Sequence, residues 1–246
     1  MIELHVLGTT ALRGVSDDRM RDALRRPKSL ALLTYLLVAR PRGFHRRERL
    51  LTLFWPERNH TLARHALRQA LHELRHNLGD VIESRGVDEV AVSSNVWCDA
   101  VAFDDAIAAQ DLARAVSLWR GELLDGITIH AASHELRDWL VSERARYGED
   151  AARAACGLAE RAAAEGDWTS FSRWARVAES VTPLDEMVLW RLLELYRDVG
   201  YRAGAEKLYR LFVQRLKIEL AISPSARTEA LIDEIRTDRR KDKPVV

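Results

Sequence analysis

The sequence predicts a mainly α chain in two parts. A small domain of helices with a short β component is expected over residues 1–96, an all-helical domain over 97–240, and a tail over 241–246. Three observations predict this. Apolar residues recur at helical spacing along most of the chain. Alternating β-like stretches are confined to the first 96 residues, and beyond Asn95-Val-Trp-Cys98 almost every segment reads as helix. Charge divides the same way. Residues 1–96 hold 16 Lys+Arg and 11 Asp+Glu, a net of +5, with six of the eight His; residues 97–246 hold 22 and 26, a net of −4. A basic part followed by an acidic one points to an anionic ligand for the first alone.

Length and composition bound the rest. A chain of 246 residues, 47% of them apolar, can bury one or two ordinary cores. Cys98 and Cys156 lie far apart and suggest neither a disulfide framework nor a metal knuckle, so a reducing cytoplasm is the expected setting. No apolar run reaches about 18 residues, which argues against a membrane partner. Met1–Gly8 lacks the basic start of a signal peptide.

Ile2, Leu4 and Val6 alternate with Glu3 and His5 and predict a short strand, which Thr10–Arg13 continues after the turn at Gly8. Asp17–Arg26 is charged and gives no clear pattern. Pro27 suits a first helical turn, and Leu30, Leu33, Leu36 and Leu37 give Lys28–Ala39 helical spacing. Pro41-Arg-Gly43 ends that helix. A second is expected over His45–Phe54, burying Leu50, Leu51, Phe54 and Trp55. Pro56–Asn59 makes a turn, and Asn59 or Thr61 caps a helix running to Gly79. Val81–Arg85 and Glu89–Ser93, joined across Gly86-Val-Asp88, predict a hairpin. Helix, helix, turn, helix and hairpin is the order of a winged helix, whose last helix enters a DNA groove while the hairpin lies on the backbone.

The Thr61–Gly79 helix has two unlike faces. Leu67, Leu71, Leu74 and Leu78 line one side. At about 100° per residue, His65, Gln69, His72 and His76 fall opposite, flanked by Arg64, Arg68 and Arg75. Arg, His and Gln bond base edges and phosphates, so this face suits a major groove. A merely solvated face carries Glu and Lys in balance; here Glu73 is the only acid. The same stretch, His72-Glu73-Leu74-Arg75-His76, matches the pattern in which two His bind zinc and Glu activates water. Ile82 stands where a third ligand belongs, and Arg75 puts a cation between the two His. Neither a metal nor another cofactor is therefore expected, and zinc hydrolysis is the most distant reading.

In the second half, Gly166 and Gly200 lie 34 residues apart, the period of tetratricopeptide repeats. Helical runs follow each, over Asp167–Ser180 and Tyr201–Leu220, and Pro183 and Pro224 mark further helix starts. Ala159, Ala162 and Ala175 suit close helix approach. Stacked helix pairs of this kind present a concave surface to partners; a plain bundle is the alternative. No Ser/His/Asp set, Cys/His set or phosphate loop stands out here, and no enzymatic activity is expected.

The chain resembles bacterial regulators of the SARP type, which join an OmpR-like winged helix to a bacterial transcriptional activator domain. The residues that carry the resemblance are Val6-Leu-Gly8, Arg26–Leu37, Leu53-Phe-Trp-Pro56, Ala63–Leu71, Leu74-Arg75, Leu118-Trp-Arg-Gly-Glu-Leu-Leu124, Leu195–Gly200 and Ser223-Pro-Ser225, in the family's order. The resemblance implies double-stranded promoter DNA as a partner at repeated sites and recruitment of RNA polymerase; self-association on that DNA is a further expectation. Glu73 departs from the family's pattern, where basic residues are common. No Walker A loop or receiver domain is visible.

Roles follow for individual residues. Arg64 and Arg68, in the first turns with Thr61, suit bidentate bonds to guanine O6 and N7. His65, Gln69 and His72 share the groove face. Arg75 and His76, further along, suit phosphates. Arg46 and Arg47 begin the preceding helix, where backbone N–H groups favour an anion. Arg85 on the hairpin suits the minor groove or backbone. Trp55, Trp97, Trp119, Trp139 and Trp190 read as core anchors. Two function classes remain open: a DNA-binding activator, or a helical-repeat adaptor with a degenerate winged helix.

Overall fold

The computed structural model describes residues 1–237. The expected tail at 241–246, and residues 238–240 of the expected second domain, lie outside them. The chain opens with β1 (Ile2–His5), β2 (Ala11–Arg13), α1 (Asp17–Leu24), α2 (Pro27–Val38), β3 (His45–Arg46), α3 (Arg47–Phe54) and α4 (His60–Leu78). β4 (Ile82–Arg85), β5 (Glu89–Val92) and β6 (Val96–Cys98) follow, then α5 (Asp99–Ala108), α6 (Leu112–Leu118) and α7 (His134–Glu165). α8 (Trp168–Val181), α9 (Glu186–Asp198), α10 (Arg202–Glu219) and α11 (Ala226–Thr237) complete it. The fold is mainly helical with two small sheets, as expected.

Contacts divide the chain into two compact units: Met1–Ala109 with Ser117–Tyr147, and Gln110–Val116 with the residues from Gly148 on. The first unit thus reaches past the boundary expected at residue 96. The reason is local. β6 lies parallel to β1, pairing Ile2 with Val96 and Leu4 with Cys98, while β2 lies antiparallel on the other edge. Asp99 follows at once and is fully buried. Its carboxylate accepts from the backbone N–H groups of Val6 (2.8 Å) and Leu7 (3.2 Å) and from Arg120 (3.0 Å). A buried carboxylate is tolerated only with such partners. Gly8 meets Arg120 so closely that a Cβ there would stand 2.7 Å from the Arg120 carbonyl oxygen. Arg144 donates to the carbonyls of Leu123 and Leu124. Residues 99–109 and 117–147 therefore pack with the N-terminal strands rather than apart from them, with the Leu124 N–H donating to the Val6 carbonyl at 2.7 Å.

Within this unit α1, α2 and α3 all pack on α4. The densely charged Asp17–Arg26 stretch forms α1, in which Ala23 alone is buried. β3, β5 and β4 make the second sheet, with β4 and β5 antiparallel in register from Ile82↔Val92 to Arg85↔Glu89. The expected hairpin is present, and His45–Arg46 adds a third strand where the sequence suggested helix. That pairing takes the first two residues of the expected helix, so α3 starts at Arg47. Of the five tryptophans expected as core anchors, Trp55 is buried and the others are half-buried. Trp139 packs edge-on against Tyr35 at 4.8 Å, and Trp190 carries the Arg227 guanidinium over its ring at 4.0 Å.

In the second unit α9 packs with α8, α10 and α11. α8 and α10 begin 34 residues apart, and the period extends to the core: Phe171 and Ala205 are both buried, as are Ala178 and Phe212. A large buried side chain on one helix stands at the position where the other has a small one.

Candidate nucleic-acid interface

The best-defined polar surface of the first unit is built on α4. Asn59 caps the helix, its side chain accepting from the Leu62 N–H at 2.9 Å. Ala63, Leu67, Ala70, Leu71, Leu74 and Leu78 are buried. Each buried leucine contributes roughly 1.5–3 kcal/mol, while an exposed ion pair contributes about 0–1 kcal/mol, so the apolar side sets the helix orientation. The opposite side is thereby turned outward. Thr61, Arg64, His65, Arg68, Gln69, His72 and His76 are all exposed, and Arg75 is half-buried.

These residues form three rows. His65, His72 and His76 run along the crest, with the rings of His72 and His76 stacked 6.4 Å apart. Thr61, Arg64, Arg68 and Arg75 run along the side nearest α3 and the hairpin. Gln69 lies on the side of α2, where it donates to Glu73 at 3.1 Å. Glu73 is also ion-paired with Arg26. The one acid of the helix is thus neutralised by its neighbours and turned off the crest. Its carboxylate bonds towards α2, not into a site shared with the two His.

The hairpin and α3 close the other side. A cleft of about 440 Å³ is lined by Arg47, Glu48, His60, Thr61, Arg64, Arg68, Val87 and Asp88, among others. Arg64 donates to Glu48 at 2.7 Å, and the Glu48 carboxyl is held below its ordinary pKa by hydrogen bonds from Arg64 and His60. Arg68 and Arg46 are exposed, and their side chains make no hydrogen bond or ion pair among the described residues. Arg47 is half-buried; burial lowers its pKa, and its Nε has no hydrogen-bond partner. Its backbone N–H donates to the Asp88 carbonyl at 2.7 Å, so the hairpin turn already occupies one free donor of the α3 N-terminus.

Two of the expected contact residues also bond within the protein. Arg75 donates to the Ile82 carbonyl and the Ser84 hydroxyl, each at 3.3 Å, and so braces β4. Arg85 pairs with Glu89 at 2.6 Å and lies over the Phe44 ring at 4.5 Å. The structure therefore brings Thr61, Arg64, Arg68 and Arg47 together at one cleft, sets His65, His72 and His76 beside it, and leaves Arg46 and Arg85 on the second sheet. Sequence reasoning missed Glu48 and His60. Their exposure and polarity carry no periodic signal; only the α3–α4 packing brings Glu48 to His60 and Arg64.

No group of three or more His, Cys, Asp or Glu side chains positioned for a metal occurs among the described residues, and no helix there is long and apolar enough to cross a membrane. None of the curated proteins compared matches the sequence. A solved structure of Mycobacterium tuberculosis EmbR, in complex with a low-affinity phosphopeptide, is similar over 98% of this chain, with a TM-score of 0.61 and 22% identity. The chain spans 66% of that protein's length, and at this identity the likeness concerns fold. The family model described as Bacterial transcriptional activator domain matches residues 99–236, more than half of the sequence. This agrees with the SARP-type resemblance read from the motifs, and the chain belongs to the bacterial transcriptional activator domain family.

Proposed function

We propose that the chain is a sequence-specific DNA-binding transcription activator, with residues 1–96 as a winged helix and 97–240 as a tetratricopeptide-like activator domain. One observation carries the reading: the outward side of α4 presents Thr61, Arg64, His65, Arg68, Gln69, His72 and His76, and its single acid is neutralised by Arg26. Side chains of this kind on an exposed helix face match the donor and acceptor code of the major groove. Arg64 and Arg68 read bases. Arg46 and Arg47 hold backbone phosphate beside them, and Arg85 on the hairpin reaches the neighbouring backbone or minor groove. The family supplies the activator role, and RNA polymerase is the partner proposed for the helical part.

Selection of bound sequences from a random duplex library tests this, followed by footprinting and a salt titration of the winning site. A defined sequence with a steep salt slope is the expected result. No duplex binding at low salt would leave the helical-repeat adaptor as the better reading.

A further inference from the structure

We infer that Glu48 is a positioning residue for sequence reading and acts through Arg64. The inference rests on the DNA-binding reading above. Glu48 stands in the first turn of α3, and its carboxylate crosses to the start of α4. Oε1 accepts from Arg64 Nη2 at 2.7 Å, and Oε2 meets His60 Nε2 at 2.9 Å. Both oxygens are used, and both partners come from the first two turns of one helix. The contact fixes the end of α4 that a groove admits most deeply, at the cleft shared with Thr61, Arg68 and the hairpin turn.

Arg64 gives a single terminal nitrogen to Glu48. A guanidinium carries five N–H donors in one plane, so its free edge still fits guanine O6 and N7. An unsupported Arg loses rotamer freedom when it binds. A carboxylate holding its far edge removes part of that loss beforehand, and it favours the one orientation that aims at a base. Arg68, one turn further on, has no such support. Glu48 also sets a negative charge beside Arg47, Arg64 and Arg68 in the cleft, which repels backbone phosphate. The arrangement therefore gives up general affinity in exchange for an aimed Arg64.

The test uses the full chain and four proteins: wild type, Glu48→Gln, Arg64→Gln and the double variant. Each is put through selection from a random duplex library, with binding to a random-sequence duplex at fixed salt and thermal melting measured in parallel. Arg64→Gln should relax preference at one base position. Glu48→Gln should relax that same position about three- to tenfold, while random-duplex affinity rises about two- to fivefold as a repelling charge is lost. The double variant should relax it no further than Arg64→Gln alone. The proposal is overturned if Glu48→Gln leaves that position unchanged, relaxes a different one, adds to Arg64→Gln, or weakens all sequences alike with a lowered melting temperature. A wild-type chain that selects no sequence removes the DNA reading itself; one that selects a site while Glu48→Gln preserves it removes this proposal only.

Discussion

At the scale of single residues, the α4 cations separate into those held by neighbours and those left free, and this decides what each substitution should do. Arg68 is exposed, and its side chain makes no hydrogen bond or ion pair among the described residues. If it reads a base, Arg68→Ala should cost about 1–3 kcal/mol on the selected site and relax one position. Arg46, on the short strand before α3, should instead weaken all duplexes evenly and flatten the salt slope when changed to Ala. Equal loss on every sequence from Arg68→Ala would identify it as a phosphate contact and require the helix to be turned in the groove. Asp99 tests the fold rather than the interface. It is fully buried and bonded to two backbone donors and Arg120. Asp99→Ala leaves those donors unmatched and should cost about 2–4 kcal/mol in chemical denaturation, with Arg120 still able to reach water from its exposed side. The two thiols give an independent check on burial. Desolvation pushes Cys98 up to about 12 and Cys156 up to about 11. Both are neutral thiols at pH 8, so alkylation there should be slow in the native chain and fast after unfolding. Because both values are raised in the folded state, their contribution to stability is full below the unfolded value near 9 and is lost as pH rises through 11 to 12.

At the scale of elements, what was legible in the sequence is what repeats at short range. α2, α4, α8 and α10 show their periodicity in the chain, and Pro27 and Asn59 mark two of the starts. The hairpin shows in two alternating runs around Gly86. α1 and β6 were not legible, for different reasons. α1 buries only Ala23, so its eight residues carry no apolar stripe. β6 is three residues long and pairs with a strand more than 90 residues away, which no window on the sequence senses. The same limit applies at the interface. The exposed row of α4 could be read from spacing, whereas the Glu48–Arg64 pair and the Arg75–Ser84 bond depend on how separate elements meet. The Arg75 bond makes a prediction about the hairpin. Arg75→Ala removes two hydrogen bonds to β4 and should leave α4 intact, because Leu71, Leu74 and Leu78 still anchor it. Amide exchange should speed up over residues 82–92 and stay unchanged over the middle of α4. Uniform loss of protection along α4 would show that Arg75 supports the helix itself.

At the scale of the whole molecule, the family match and the packing divide the chain differently. The family model begins at residue 99, while the first compact unit continues to Tyr147. Both follow from one set of residues. Asp99, Arg120 and Arg144 lie in the part matched by the family, yet their bonds go to the β1–Leu7 segment and to the Leu123–Leu124 carbonyls inside the first unit. Cutting at 96 removes Asp99 and Arg120 and shortens β6 to a single residue, while cutting at 147 removes none of them. A fragment of residues 1–96 should therefore be much less stable than one of residues 1–147, and its thermal transition should be lower and broader. The longer fragment should bind the selected duplex about as tightly as the intact chain, because the whole α4 surface, α3 and the hairpin are retained. It lacks α8–α11, among them α8 and α10, which begin 34 residues apart, and in a reconstituted transcription assay it should occupy the promoter without stimulating RNA polymerase. A fragment of residues 1–147 that stimulates as well as the intact chain would place activation in the first unit and leave the repeat helices as a sensing or self-association module.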